Sequence, residues 1–231
     1  MQGRKIFTMS YDDGVIWDEP FLKILNKYGI KATFNLNSGL LGDRVDLTQM
    51  GITFNHDKVE PQAVKALYAG HEVATHSATH PVLTKLDDEA LVRQIMDDRA
   101  ALSELVGYDV DGHAYPCGPY DDRVAKVLRE RCGIRYARTV DAHRTFAVPE
   151  NPMTWHPTCH HGDAALFELA EKFLAAKPAE GEDLLFYVWG HTYEFNIHDD
   201  WDRIERFCQM ISGHADVIYA TNRETMDLLG K

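Results

Sequence analysis

Strand-like and helix-like stretches alternate along this chain from one end to the other, and that alternation restricts the fold more than any other feature. Residues 5–10 read as a first strand, and residues 19–28 as a helix with Phe21, Ile24, Leu25 and Tyr28 on one face and Gly29 as its stop. Residues 31–36 form a second strand, and residues 37–57 a looser excursion. Pro61 opens a short helix through Val64, Leu67 and Tyr68 that Gly70 ends. Residues 72–75, 112–115, 134–139, 184–189 and 217–220 read as further strands. Asp87 is the N-cap of a long helix carrying Leu91, Ile95, Leu102 and Leu105, closed at Gly107. Asp121 caps a helix with Val124, Val127 and Leu128, and residues 163–176 are helical again. Trp201, Ile204, Phe207, Cys208 and Ile211 make one more helical face, and Thr221 with Glu224 has capping-box spacing. Repeated β–α units imply parallel strands with right-handed crossovers, hence a barrel or an open doubly wound sheet. With no Ser/Gly-rich linker and no repeat, residues 1–231 read as one domain.

A chain of 231 residues suffices for one large α/β domain, and a 45% hydrophobic content with ten Phe and ten Tyr supports a sizeable core. A net charge of −12 speaks against nucleic-acid binding, which wants clustered Lys and Arg. No apolar run approaches the roughly 20 residues of a membrane span. Cys117, Cys132, Cys159 and Cys208 are widely spaced without a Cys-x-x-Cys pair, so neither a zinc knuckle nor a disulfide framework is indicated. The first residues enter a strand almost at once and carry no signal-peptide pattern. A cytoplasmic enzyme with reduced thiols is expected, unless an export signal has been removed.

In either candidate fold, function gathers at the C-terminal ends of the strands. Asp12, Asp13, His76, His80, Pro116, Arg138 and His191 all fall there. Singly they are ambiguous: an Asp-Asp-Gly sequence makes a turn, and histidines four apart occur on many surface helices. Their shared placement argues for one assembled metal site with a carboxylate left over for proton transfer. His156, His160 and His161 read as a solvated loop rather than a second metal site. His198-Asp199-Asp200 reads as a helix N-terminus with acidic residues favouring its dipole.

Four segments, in order, resemble the motifs of the polysaccharide deacetylases, the NodB-homology group also called carbohydrate esterase family four. They are Tyr11-Asp12-Asp13-Gly14, His76-Ser77-Ala78-Thr79-His80, Tyr115-Pro116-Cys117-Gly118-Pro119-Tyr120 and the strand ending in His191. The resemblance implies a distorted (β/α) barrel of about seven parallel strands. It implies that Asp13, His76 and His80 bind one divalent metal, most often zinc, with cobalt, nickel or iron also suited to an N,N,O set. Asp12 is then the general base, His191 the general acid and the Cys117 backbone N–H an oxyanion donor, with Pro116, Tyr120 and Trp155 at the substrate. Such a metal lowers the pKa of bound water and polarises a carbonyl, while an imidazole titrates in the range needed to protonate a leaving amine.

The implied substrate is an N-acetylated saccharide or sugar conjugate that loses acetate. A metal-dependent amidase of cyclic non-sugar amides and a catalytically silent carbohydrate-binding relative stay open. Two departures stand out. Ala114 occupies the position where the third motif usually carries an arginine, and Arg138, at the end of the next strand, is the expected substitute. His191 lacks an evident carboxylate partner, with Glu194 the nearest candidate.

Overall fold

The computed structural model describes residues 3–49 and 51–231. Among the described residues ten strands occur in chain order: β1 (Lys5–Asp12), β2 (Thr33–Leu36), β3 (Asp46–Gln49), β4 (Ile52–Asn55), β5 (Glu72–Thr75), β6 (Gly112–Ala114), β7 (Tyr136–Arg138), β8 (Cys159–His160), β9 (Leu184–Gly190) and β10 (Val217–Tyr219). The helices are α1 (Asp18–Tyr28), α2 (Val64–Leu67), α3 (Asp88–Val106), α4 (Asp122–Glu130), α5 (Leu166–Ala175), α6 (Glu194–Ile197), α7 (Trp201–Ile211) and α8 (Asn222–Leu229).

Every residue of β1 is buried, because the strand is covered on both faces. Its period-two alternation divides the interior into two parts. Phe7, Met9 and Tyr11 face an outer core shared with Phe21, Leu25, Ile204 and Phe207 of α1 and α7. The opposite face runs Ile6, Thr8, Ser10, Asp12 and is increasingly polar towards the strand's end: Thr8 bonds Asn222 (3.0 Å) and Ser10 bonds Asn35 (2.7 Å). That line terminates in Asp12.

The sheet follows the order β7-β6-β5-β2-β1-β9-β8, with parallel pairing throughout. An eighth strand, β10, pairs with Lys5–Phe7 of β1, while β2 pairs with Ser10–Asp12, so one edge of β1 serves two neighbours. The extended stretch from Trp155 to His160 links the two ends of the path. Trp155 exchanges backbone hydrogen bonds with Ala137 and Thr139 beside β7, and Cys159 and His160 pair with β9. The sheet therefore curls into the distorted barrel expected from the motifs.

Local chemistry ends the elements where the sequence indicated. Asp87 accepts from the Ala90 amide and Asp121 from the Val124 amide (2.7 Å each), Gly29 and Gly107 terminate α1 and α3 in the left-handed region, and Thr221 and Glu224 form a capping box. That last cap seats α8 under the barrel, where the amides of Asn222 and Arg223 donate to Thr33 Oγ1 and Glu72 Oε2. Three expectations need adjustment. The strand drawn over residues 134–139 is confined to Tyr136–Arg138, because the Ile134 amide is taken by the end of α4 and the Arg135 amide by Asp111. The helix drawn over 163–176 begins at Leu166, after a turn in which Asp163 accepts the Ala165 amide. The loose excursion 37–57 contains the antiparallel hairpin β3–β4.

Gly112 is required by close approach rather than by its dihedral angles. A Cβ there would lie 2.2 Å from Tyr136 Oη, which donates to the buried Glu72 (2.7 Å). Gly112→Ala is therefore expected to destabilise the fold by about 1–3 kcal/mol, read from denaturant-unfolding midpoints.

Candidate metal centre and proton-transfer site

Asp12 closes β1 and Asp13 follows it, so the chain must turn while burying two adjacent carboxylates. Asp13 does so at φ 83°, its amide donating to the Asn35 carbonyl (2.9 Å). Ser77, His80 and Cys117 also have positive φ (62°, 58° and 60°), so four non-glycine residues in the left-handed region meet at the mouth of the barrel. Such conformations persist only where surrounding bonds over-determine them. Here Asn37 Nδ2 donates to the carbonyls of His76 and Ser77 (2.6 and 2.8 Å), and Asp98 of α3 accepts the amides of Ser38 and His76.

His76 Nδ1–H donates to the Ala114 carbonyl (2.8 Å), which leaves the Nε2 lone pair free. That atom lies 3.1 Å from His80 Nε2 and 3.8 Å from Asp13 Oδ1, and His80 Nε2 lies 3.6 Å from the same oxygen. Three donor atoms around zinc in a tetrahedral arrangement stand about 3.4 Å apart, so this N,N,O set fits one such ion. The other oxygen, Asp13 Oδ2, is engaged by His56 Nε2 (3.2 Å), and Lys58 Nζ donates to the Asp13 carbonyl (2.8 Å). Burial works against the Asp13 charge, but His56, Lys58, His191 and His76 outweigh it and hold the carboxyl well below its usual range.

Asp12 is oriented differently. Its Oδ1 accepts from Asn35 Nδ2 (2.7 Å) and its Oδ2 from the guanidinium of Arg138, which is wholly buried and stacked over Trp189 (4.5 Å). Burial opposes ionisation here as well, yet Arg138, His76 and His191 keep the Asp12 carboxyl below its ordinary value. Asp12 Oδ2 stands 3.9 Å from both His76 Nε2 and His191 Nε2. On the far side of the His191 ring, Nδ1 meets Glu194 Oε1 (3.2 Å). Burial disfavours the imidazolium, but that hydrogen bond and the charges of Glu194, Asp13 and Asp12 raise His191 to about 9.

The matching sequence features extend beyond these few residues. The profile of the polysaccharide deacetylases fits residues 2–137, more than half of the chain. The chain belongs to the polysaccharide deacetylase family. Over 132 residues it is 30% identical to a chitooligosaccharide deacetylase from Rhizobium leguminosarum bv. phaseoli, covering 55% of this chain and 49% of that protein. It spans about half the length, or less, of the curated relatives it matches. Among solved structures, a Mycobacterium smegmatis protein provisionally described as a polysaccharide deacetylase aligns with a TM-score of 0.67 at 16% identity, covering 100% of this chain and 91% of that one. A family-four pseudoenzyme from Bacillus anthracis aligns at 0.56 and 17%, covering 97% of this chain and 66% of that one. At such identities the structural likeness speaks for the fold alone.

Within this deacetylase barrel, Asp12, Asp13, His76, His80, Cys117 and His191 line one cavity of about 890 Å³, and Arg138 lies beneath it on Asp12. The Cys117 amide has no acceptor among the described residues and adjoins the cavity. Trp155 is not at the cavity. It is 1% exposed and packs on Tyr136 and Tyr187, because its backbone pairs with β7, and Trp189 lines the cavity instead. Pro116 is buried behind Cys117, and Tyr120 stacks on Tyr115 and donates to Asp141, so neither lines the cavity. His161 is no loop residue in solvent: it is 2% exposed, stacked on Tyr11, in space that Gly190 leaves open.

Two residues that engage Asp13 escaped the motif reading, His56 and Lys58. Both arrive with the hairpin β3–β4, whose alternation around Gly51 was the available signal.

Two outcomes follow from this geometry. Arg138→Met strands a buried carboxylate and should destabilise the protein by about 3–5 kcal/mol, measured by chemical unfolding against wild type. His191 binds its proton more tightly folded than unfolded, so its contribution is fully present below about pH 6.5 and is lost as pH rises through about 9. In the metal-free protein, unfolding free energy should fall across that window, with a flatter profile in His191→Gln.

Proposed function

We propose that the chain is a metal-dependent hydrolase that removes N-acetyl groups from an amino sugar or sugar conjugate. One observation carries this reading: Asp13 turns one oxygen towards two imidazole nitrogens, while Asp12, the adjacent residue, is held ionised and aimed between His76 and His191. A family likeness alone would not suffice, since a pseudoenzyme has the same fold.

Asp13, His76 and His80 would hold a divalent ion, zinc for preference, which when bound would supply acidity to a water and polarise the amide carbonyl. Asp12 takes up the proton released in the attack, its oxygens positioned by Asn35 and Arg138. The Cys117 N–H faces the developing oxyanion. His191, charged through Glu194 and standing across from Asp12, hands a proton to the leaving amine. Arg138 takes the place of the absent motif arginine at Ala114 by reaching Asp12 from the neighbouring strand.

The test combines metal analysis with acetate release from N-acetylglucosamine oligomers. Chelation should abolish turnover and zinc should restore it. Asp12→Asn should lower kcat at least 100-fold while one equivalent of metal stays bound; loss of the metal in that variant would overturn the division of roles between the two aspartates. If cyclic imides or ureides were hydrolysed and acetylated sugars were not, the amidase reading would replace this one.

A further inference from the structure

The floor of the 890 Å³ cavity is polar, and most of its wall is apolar, with Asp43 and Thr48 among the lining side chains. Leu40, Val45, Leu47 and Phe54, all from the excursion between β2 and α2, line it together with Val140, Trp189 and Tyr193. Val45 and Leu47 are 38% and 40% exposed, among the most exposed large apolar side chains of the described residues, and both point into the mouth of the cavity. The hairpin that presents them is fixed in place. Leu47 pairs with Phe54, Phe54 lies flat on Tyr193 (4.9 Å, 14°), and the next turn anchors on Asp13 through His56. The apolar wall is thus continuous with the reaction centre.

Acetate does not call for such a wall. A pocket of this size is in the range that encloses a ligand of many heavy atoms, roughly 300–1,000 Å³. Aliphatic side chains offer no partners to ring hydroxyls, whose burial without hydrogen bonds is unfavourable. An apolar wall rimmed by polar groups marks a binding site for apolar surface.

We infer that the substrate carries an apolar group, an aryl ring or an acyl chain longer than acetyl, next to the scissile amide, and that the hairpin β3–β4 forms its subsite. The inference rests on the deacetylase reading for the chemistry at the cavity floor. It commits to the apolar character of the group, and the experiment assigns its side of the amide.

Turnover is measured on two series: glucosamine acylated with acetyl, butanoyl, hexanoyl or benzoyl groups, and N-acetylated amines bearing either sugar or aryl substituents. A fully buried methylene is worth roughly fourfold, so kcat/KM should rise at least tenfold along one series, and that series identifies the side. In Leu47→Ser and Val45→Ser the gain should shrink below threefold. A flat response in both series, with acetylated sugars still hydrolysed, overturns the inference and leaves the deacetylase reading intact. A binding arm decides the matter even without turnover: compared with acetohydroxamate, zinc-loaded protein should bind at least tenfold more tightly either benzhydroxamate, with its ring on the acyl side, or N-phenylacetohydroxamate, with its ring on the nitrogen, and the difference should be reduced in Leu47→Ser. Equal affinities for all three, or a difference the variant preserves, overturn it.

Discussion

Two carboxylates on successive residues, 2% and 7% exposed at the end of the central strand, are the constraint from which the site is built. Isolated buried charges of one sign are far too unfavourable to survive unpaired. Each aspartate therefore draws its own set of partners from distant parts of the chain. Asp12 takes Arg138 from β7 and Asn35 from β2; Asp13 takes His56 and Lys58 from the hairpin excursion. Because the partner sets do not overlap, the two side chains diverge. One carboxylate is turned towards imidazole nitrogens and the other towards the space between His76 and His191.

That divergence gives two adjacent carboxylates two different surroundings. Asp13 gives Oδ2 to His56 and keeps Oδ1 towards the Nε2 atoms of His76 and His80, while both oxygens of Asp12 accept hydrogen bonds that fix its plane. The cost appears in the backbone, where Asp13, Ser77, His80 and Cys117 all adopt positive φ. Asp98 and Asn37 hold the His76 segment in that conformation, although neither lines the cavity. A site of this kind depends on hydrogen bonds a full residue layer away from the chemistry.

What could be seen in the sequence was governed by how local its cause is. Helix caps at Asp87, Asp121 and Thr221 need only three neighbouring residues, and they stand as expected. The strand ends were legible because β–α alternation fixes where functional side chains gather, and Arg138 was legible because β7 adjoins β6, the strand of Ala114, although three strands separate β7 from β1. His56 was not legible, because its partner is 43 residues away and only the hairpin register carries it there. Trp155 misled for a related reason. Nothing near it in sequence reveals that residues 155–160 close the barrel and turn its ring inward. The same closure buries His161 against Tyr11, where composition suggested a solvated loop.

The hairpin links these threads. The chain leaving it supplies the His56 imidazole and the Lys58 ammonium that hold Asp13, and Leu47, Phe54 and the preceding Val45 reach the cavity wall. One excursion of the chain thus contributes both to the surroundings of the Asp13 carboxylate and to the cavity wall. Its removal would not simply widen the cavity, because Asp13 would lose His56 and Lys58 together. Shape and electrostatics at this site are therefore coupled: Val45 and Leu47 line the cavity without bonding to Asp13, whereas His56 and Lys58 bond to it directly.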